Sequence, residues 1–374
     1  MNKKFSLYIH IPFCFSKCGY CDFISYSDKD EYIPIYFDAL IKEIEYFSGE
    51  CDRKIDSVYV GGGTPSYVAA TYIKRVIEKI EESFVLSEDC EISMEANPGT
   101  IDKEKATIYK DLPINRFSLG VQTLNDSLLK VLGRTHTTKD IYNSIELFKD
   151  MGVLNFNVDL MYALPGQSIE DWATTVRKII ELSPTHISAY ALSIEEGTEF
   201  YKLYKNKEFD DELDRKMYVY IIDELKKNNF ERYEISNFAI KGYECKHNLY
   251  CWGLEEYRGF GAGAHSFVDN KRFNNYENIG EYISMINTGQ SAIFKSKIQS
   301  ESELISDYCI LALRTSSGIN LEEYNLIFKH DFYDRFGRIV SDFLVDGLMS
   351  ADRENIALSD KGFDYANVVM REFL

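Results

Sequence analysis

The chain has 374 residues, 45% of them apolar and 27% charged, the composition of a globular protein with room for one large domain and a small one. Its formal net charge of −18 repels phosphate backbones over long range, which argues against nucleic acid as a general partner. No run of about 18 apolar residues occurs, so no helical membrane span is expected.

The opening run MNKKFSLYIHIPFCF starts basic and turns apolar as a secretion signal would, but polar residues follow at once without a small-residue cleavage site. It is read as a first strand, and the protein as cytoplasmic. Strands are expected at Phe5–Ile11, Ile55–Val60, Cys90–Glu95, Asn115–Leu119, Asn155–Leu160, His186–Leu192 and Arg232–Ser236. Amphipathic helices are expected between them at Ile33–Phe47, Tyr67–Phe84, Asp102–Lys110, Lys139–Met151, Ile169–Leu182 and Asp214–Asn228. Such alternation predicts an α/β fold with a parallel sheet and helices outside, open or closed into a barrel. Unusual runs follow the strand ends: GGGTP, EANPG, GVQ and DLMYALPGQ. In parallel α/β folds these loops build the site, so the runs converge on one rim. Residues 1–236 form this unit, 237–299 read as an irregular extension, and 300–374 as a small C-terminal domain.

Of eight cysteines, Cys14, Cys18 and Cys21 share one short loop after the first strand. A large acidic chain without a signal is not a disulfide scaffold. Three thiolates on a cubane cluster leave one iron open to chelate a ligand. Zinc is the competing reading, but it usually takes four ligands and no second CxxC-type pair exists here. Phe13, Phe15, Tyr20 and Phe23 are placed to shield the sulfurs, and Lys17 to offset cluster charge. Cys51, Cys90 and Cys309 read as buried free thiols. His136 and His186 read as structural, and Asp126 as a helix cap.

The run YIHIPFCFSKCGYCDF resembles the radical S-adenosylmethionine (SAM) superfamily, in the branch that contains oxygen-independent coproporphyrinogen III oxidase and, more narrowly, the heme chaperone family. The likeness continues through VYVGGGTPS, SMEANPGT, RFSLGVQTLNDSLLKVLGRTHT, NVDLMYALPGQ, AYALSIEEGTEF, YEISNFA and YRGFGAGAHS. It implies a partial TIM-like (β/α)6 barrel with a small helical or winged-helix-like C-terminal domain. It also implies a [4Fe–4S] cluster on Cys14, Cys18 and Cys21 and S-adenosylmethionine beside it. Gly62, Gly63 and Thr64 would meet the methionine amino group, Arg134 its carboxylate, Glu95 an amino group, and Gln122 and Asp159 the ribose. Tyr8 would contact the cluster-side ligand. Taken singly, each polar residue also reads as a structural hydrogen bond or a surface ion pair.

Two departures from the oxidase argue against porphyrinogen decarboxylation: Phe23 stands where its fourth cysteine would be, and the first strand begins too early for its N-terminal arm. His247-Asn248-Leu249-Tyr250-Cys251-Trp252 resembles the HNxxYW segment of the heme chaperone family, with Cys251 in place of Tyr. The resemblance therefore implies heme as a third ligand, with His247 as candidate axial ligand and His265 as another. It implies heme-requiring respiratory proteins as clients, transient membrane association and, as an open question, a homodimer. An oxidase-like radical SAM enzyme and a radical SAM methyltransferase are the competing readings.

Overall fold

The computed structural model describes residues 3–207 and 210–374. Strand β1 (Phe5–Ile11) leads to helix α1 (Ile33–Ser48), β2 (Ile55–Gly62) to α2 (Ala70–Ser83), and β3 (Leu86–Ala96) to α3 (Lys103–Lys110). Next come β4 (Arg116–Gln122) with α4 (Asp126–Val131) and α5 (Thr138–Met151), and β5 (Phe156–Tyr162) with α6 (Ile169–Glu181). The sixth step is β6 (His186–Ala191) with α7 (Glu199–Tyr204) and α8 (Asp211–Lys227). Strands β1 to β6 lie side by side in chain order, all parallel. β8 (Asn237–Ile240) pairs antiparallel with β6, and β7 (Phe230–Arg232) pairs antiparallel with β8 at the edge.

The strand expected at Arg232–Ser236 stops at Arg232. From Tyr233 the chain turns inward: the Tyr233 hydroxyl pairs with His186 Nε2 at 2.7 Å, and Glu234 accepts the Ser236 N–H. Residues 237–299 are also corrected, because most of this stretch is regular. It holds α9 (Lys246–Trp252), β9 (Glu256–Phe260), β10 (His265–Val268), β11 (Lys271–Asn275), α10 (Ile279–Asn287) and β12 (Ile293–Ile298). β9 pairs in parallel with the free side of β1, Gly259 opposite Tyr8, and β10 to β12 continue antiparallel. Among the described residues the twelve-stranded sheet runs open from β12 to β7, a partial barrel with seven parallel strands, β9 and β1 to β6, at its centre.

The last segment runs α11 (Glu301–Ala312), β13 (Ile319–Asn320), α12 (Leu321–Phe328), α13 (Phe332–Val345), β14 (Met349–Ala351), β15 (Asn355–Leu358), then α14 (Asp360–Asp364) and α15 (Ala366–Arg371). The order helix–strand–helix–helix–strand–strand around a three-stranded sheet is winged-helix-like. Tyr324, Phe328, Phe332, Phe336 and Phe373 centre a core of its own. No helix among the described residues is long and apolar enough to cross a membrane.

Strand side chains alternate between faces with period two. Leu7, Ile9, Val58, Val60, Ile92, Met94, Phe117, Leu119, Val158, Leu160 and Ile187 occupy one register and are buried with the helices. The intervening positions hold Ser6, Tyr8, His10, Ser57, Tyr59, Glu91, Ser93, Glu95, Arg116, Ser118, Asn157, Asp159, His186 and Ser188. The concave face of the barrel is therefore polar over its whole height.

Buried Glu43 on α1 joins the extension to the barrel. It accepts from Arg258 Nη2 (2.9 Å), Gly261 N (2.9 Å), Asn275 Nδ2 (2.8 Å) and the Tyr282 hydroxyl (2.8 Å). Removing a buried carboxylate leaves its cation without compensation. Glu43→Ala is expected to lose about 3–5 kcal/mol, read as a fall in the denaturant midpoint of the barrel transition.

Candidate cofactor site

The end of β1 and the end of β2 leave the sheet together and stay stitched. Gly63 N donates to Ile11 O (2.8 Å) and Thr64 N to Phe13 O (2.8 Å). The cysteine loop folds back on itself through Cys14 N to Tyr26 O (2.9 Å) and Tyr26 N to Pro12 O (2.7 Å). Its far side is pinned by Gly19 N to Leu132 O (3.2 Å) and Phe200 N to Gly19 O (2.8 Å). Two glycines are required here. Gly62 has φ +115°, and a Cβ on it would lie 2.6 Å from the His10 ring. A Cβ on Gly63 would lie 2.8 Å from Phe13 O and 3.0 Å from Cys14 Sγ.

A chain of hydrogen bonds links two of the three thiols. Thr64 Oγ1 approaches Cys14 Sγ at 3.4 Å and accepts from Asn97 Nδ2 at 2.9 Å. Asn97 Oδ1 accepts from Arg134 Nη2 at 2.6 Å, and Arg134 Nη1 reaches Cys18 Sγ at 3.5 Å. Arg134 also donates to Gly120 O at 2.5 Å. These residues, with Cys21, Gly62, Gly63, Glu95, Ser118, Gln122, Asp159, Met161 and Tyr190, line a cavity of about 420 Å³, a size typical of cofactor pockets. Among the described residues no three His, Cys, Asp or Glu side chains converge to hold a single metal ion. A cubane needs no such convergence, since each thiolate takes a different iron. The donor set fits a thiolate-bound cluster: a hydroxyl and a guanidinium already aimed at the sulfurs.

The Radical SAM superfamily model matches residues 8–179. The chain is 37% identical over 377 residues to a heme chaperone HemW of Lactococcus lactis subsp. lactis, covering 100% of this chain and 98% of that protein. It is 32% identical over 374 residues to a heme chaperone HemW of Bacillus subtilis, covering 99% of each. The chain belongs to the radical SAM superfamily, in the branch that holds the HemW family. The solved structure of coproporphyrinogen III oxidase (HemN) from Escherichia coli, described as a radical SAM enzyme, has the same fold, with TM-score 0.88 at 22% identity, over 100% of this chain and 90% of that one.

Burial sets the electrostatics of this radical SAM cavity. Burial raises the pKa of the Cys14 and Cys21 thiols. Bound iron would remove their protons outright. Glu95 accepts from the Tyr59 hydroxyl (2.9 Å) and Gly62 N (3.1 Å), yet burial and then Asp159 push its pKa up to about 7. Asp159 accepts from Ser118 Oγ (2.9 Å) and Asn157 Nδ2 (2.9 Å); burial raises its pKa too. Two buried carboxyls in one cavity lining suit a ligand that brings amino and hydroxyl groups.

Tyr8 is not among the residues that line the cavity; its hydroxyl pairs with His10 Nδ1 at 3.0 Å. His247, the candidate axial ligand, lies on α9. The residue is 6% exposed, its Nδ1 pairs with Ser57 Oγ at 2.9 Å, and its ring centroid lies 5.1 Å from that of Tyr59. A macrocycle cannot reach so enclosed an imidazole unless α9 moves away. His265 is exposed at the start of β10 and lies outside the cavity lining. Of the expected shielding rings, Phe13 is fully buried, whereas Phe15 and Phe23 are 67% and 65% exposed. Cys90 and Cys309 are buried but Cys51 is only partly so. His186 is bonded at both nitrogens, and Asn125 rather than Asp126 caps α4. Asn97 and Tyr59 escape a reading by motif, although Asn97 sits inside EANPG and Tyr59 alternates correctly with Ser57 on β2.

The folded protein keeps Glu95 protonated to about pH 7, whereas an unperturbed carboxyl releases its proton near 4.5. Its contribution to stability is thus complete below pH 4.5 and is lost as pH rises through 7. Glu95→Gln is expected to be more stable than the native chain at pH 8 by on the order of 1–3 kcal/mol. The difference should vanish by about pH 4.5, as read by denaturant midpoints of cluster-free protein.

Proposed function

We propose that this chain is a heme chaperone with a radical SAM core, holding a [4Fe–4S] cluster on Cys14, Cys18 and Cys21 and S-adenosylmethionine in the adjoining cavity. The observation that carries the heme reading is similarity over 98–99% of the length of two proteins named heme chaperone HemW. The bond chain from Cys14 through Thr64, Asn97 and Arg134 to Cys18 supports the cluster reading.

When bound, the cluster supplies an open iron and one electron for cleaving the sulfonium. The residues of this chain orient the ligand. Gly62 and Gly63 let backbone approach closely, Arg134 offers a fork of donors to a carboxylate, and Glu95 accepts from an amino group. Gln122 and Asp159 line the same cavity and suit ribose hydroxyls. In this reading the protein works in the cytoplasm, hands heme to respiratory clients and touches membranes only through them.

Anaerobically reconstituted protein should bind S-adenosylmethionine and one heme and release no carbon dioxide from coproporphyrinogen III. Cys18→Ser should lower cluster content to background. Carbon dioxide release would favour the oxidase-like reading, and methyl transfer to an added acceptor the methyltransferase reading. Either result, without heme binding, would reject the chaperone.

A further inference from the structure

The segment HNLYCW lies at the opposite end of the barrel from the cysteine loop. Helix α9 plugs this end, held by Glu91 of β3. Glu91 accepts from Lys246 N (3.0 Å), His247 N (3.3 Å) and Cys245 Sγ (3.4 Å). These bonds satisfy amides that the first turn of a helix leaves open.

His247 projects from the plug into the polar interior. The Ser57 hydroxyl donates to Ser6 Oγ at 2.8 Å and shares a hydrogen bond with His247 Nδ1 at 2.9 Å. The ring packs against Tyr59, one pair of residues further up β2. Tyr59 in turn donates to Glu95 Oε1, and Glu95 Oε2 accepts from Gly62 N of the glycine loop. The Tyr59 ring is held among three neighbours: His247, Tyr8, which stacks on it at 6.3 Å, and Gly61, whose Cβ would lie 2.9 Å away. Plug, ring, phenol, carboxylate and glycine loop thus form one continuous contact path.

We propose that His247 is a positioning residue for the cofactor site, holding Tyr59 so that its hydroxyl fixes Glu95 against the glycine loop. This inference rests on the reading that the cavity binds S-adenosylmethionine, and it goes beyond that reading by giving the HNLYCW segment a role other than heme ligation. Without the ring, Tyr59 swings and Glu95 loses its donor. The carboxylate is then less able to accept from an incoming amino group.

The test is S-adenosylmethionine titration of anaerobically reconstituted full-length protein, followed by the change in the electron paramagnetic resonance signal of the reduced cluster. Tyr59→Phe removes one hydroxyl, and His247→Asn keeps a hydrogen-bond partner for Ser57 but removes the ring. Both, with His247→Ala, should weaken affinity about tenfold, the usual scale for a hydrogen bond to a charged group. Iron and sulfide content and the signal without ligand should stay native, which a collapse of the fold would not allow. The Tyr59→Phe/His247→Ala double variant should bind no more weakly than the worse single one, because both cut the same path. Native affinity in the His247 variants, or loss of heme binding with native S-adenosylmethionine affinity, would overturn the proposal. Failure of the native chain to bind S-adenosylmethionine would overturn this proposal and the cofactor reading together.

Discussion

The parallel register of β1 on β2 is the constraint on which the rest depends. With Ile11 opposite Gly62, the two chains leave the sheet at one level and continue as paired loops. That pairing brings Cys14 against Gly63 and Thr64, residues about fifty positions away in sequence. Thr64 then reaches Asn97 after β3, and Asn97 reaches Arg134 after β4. Each link comes from a neighbouring strand, so a slip of one residue in any register would break the sequence of bonds and turn its side chains to the helix face.

A concave face made wholly of polar side chains is expensive unless its groups are bonded. The two ends of the barrel meet that cost differently. At the plugged end Glu91 accepts the first amides of α9, Ser57 pairs with His247, and His186 bonds both Asn157 and Tyr233. At the other end Glu95 and Asp159 line the cavity, and burial raises the pKa of each. Stability is given up where a ligand is to be received, a common relation between binding sites and their scaffolds. Tyr59 and His247 lie between the two layers, which is why one segment can influence both.

The six parallel strands were legible because each carries an apolar register under helices, and the cysteine loop because its spacing is unusual. The regular structure of 237–299 was not legible, for a physical reason. β9 reads EYRGF and β12 reads IFKSKI; the first gains its burial from β1 and Glu43, and the second stays largely exposed as an edge. Neither has a local pattern strong enough to announce a strand. The surroundings of His247 were not legible, since its burial at the barrel end depends on Ser57 and Glu91 from other strands. Asn97 was hidden for the opposite reason: it sits inside the EANPG run, where Glu95 carries the expected role.

A cluster held by Cys14, Cys18 and Cys21 would offer its open iron to a ligand in the cavity that Glu95 and Arg134 also line. Hyperfine spectroscopy of the reduced, anaerobic protein with S-adenosylmethionine labelled at its amino nitrogen and carboxylate carbon tests this most directly. The account predicts a [4Fe–4S] signal with coupling to both labels. A zinc-loaded protein without inorganic sulfide, or a cluster that shows no coupling to either label, would contradict it.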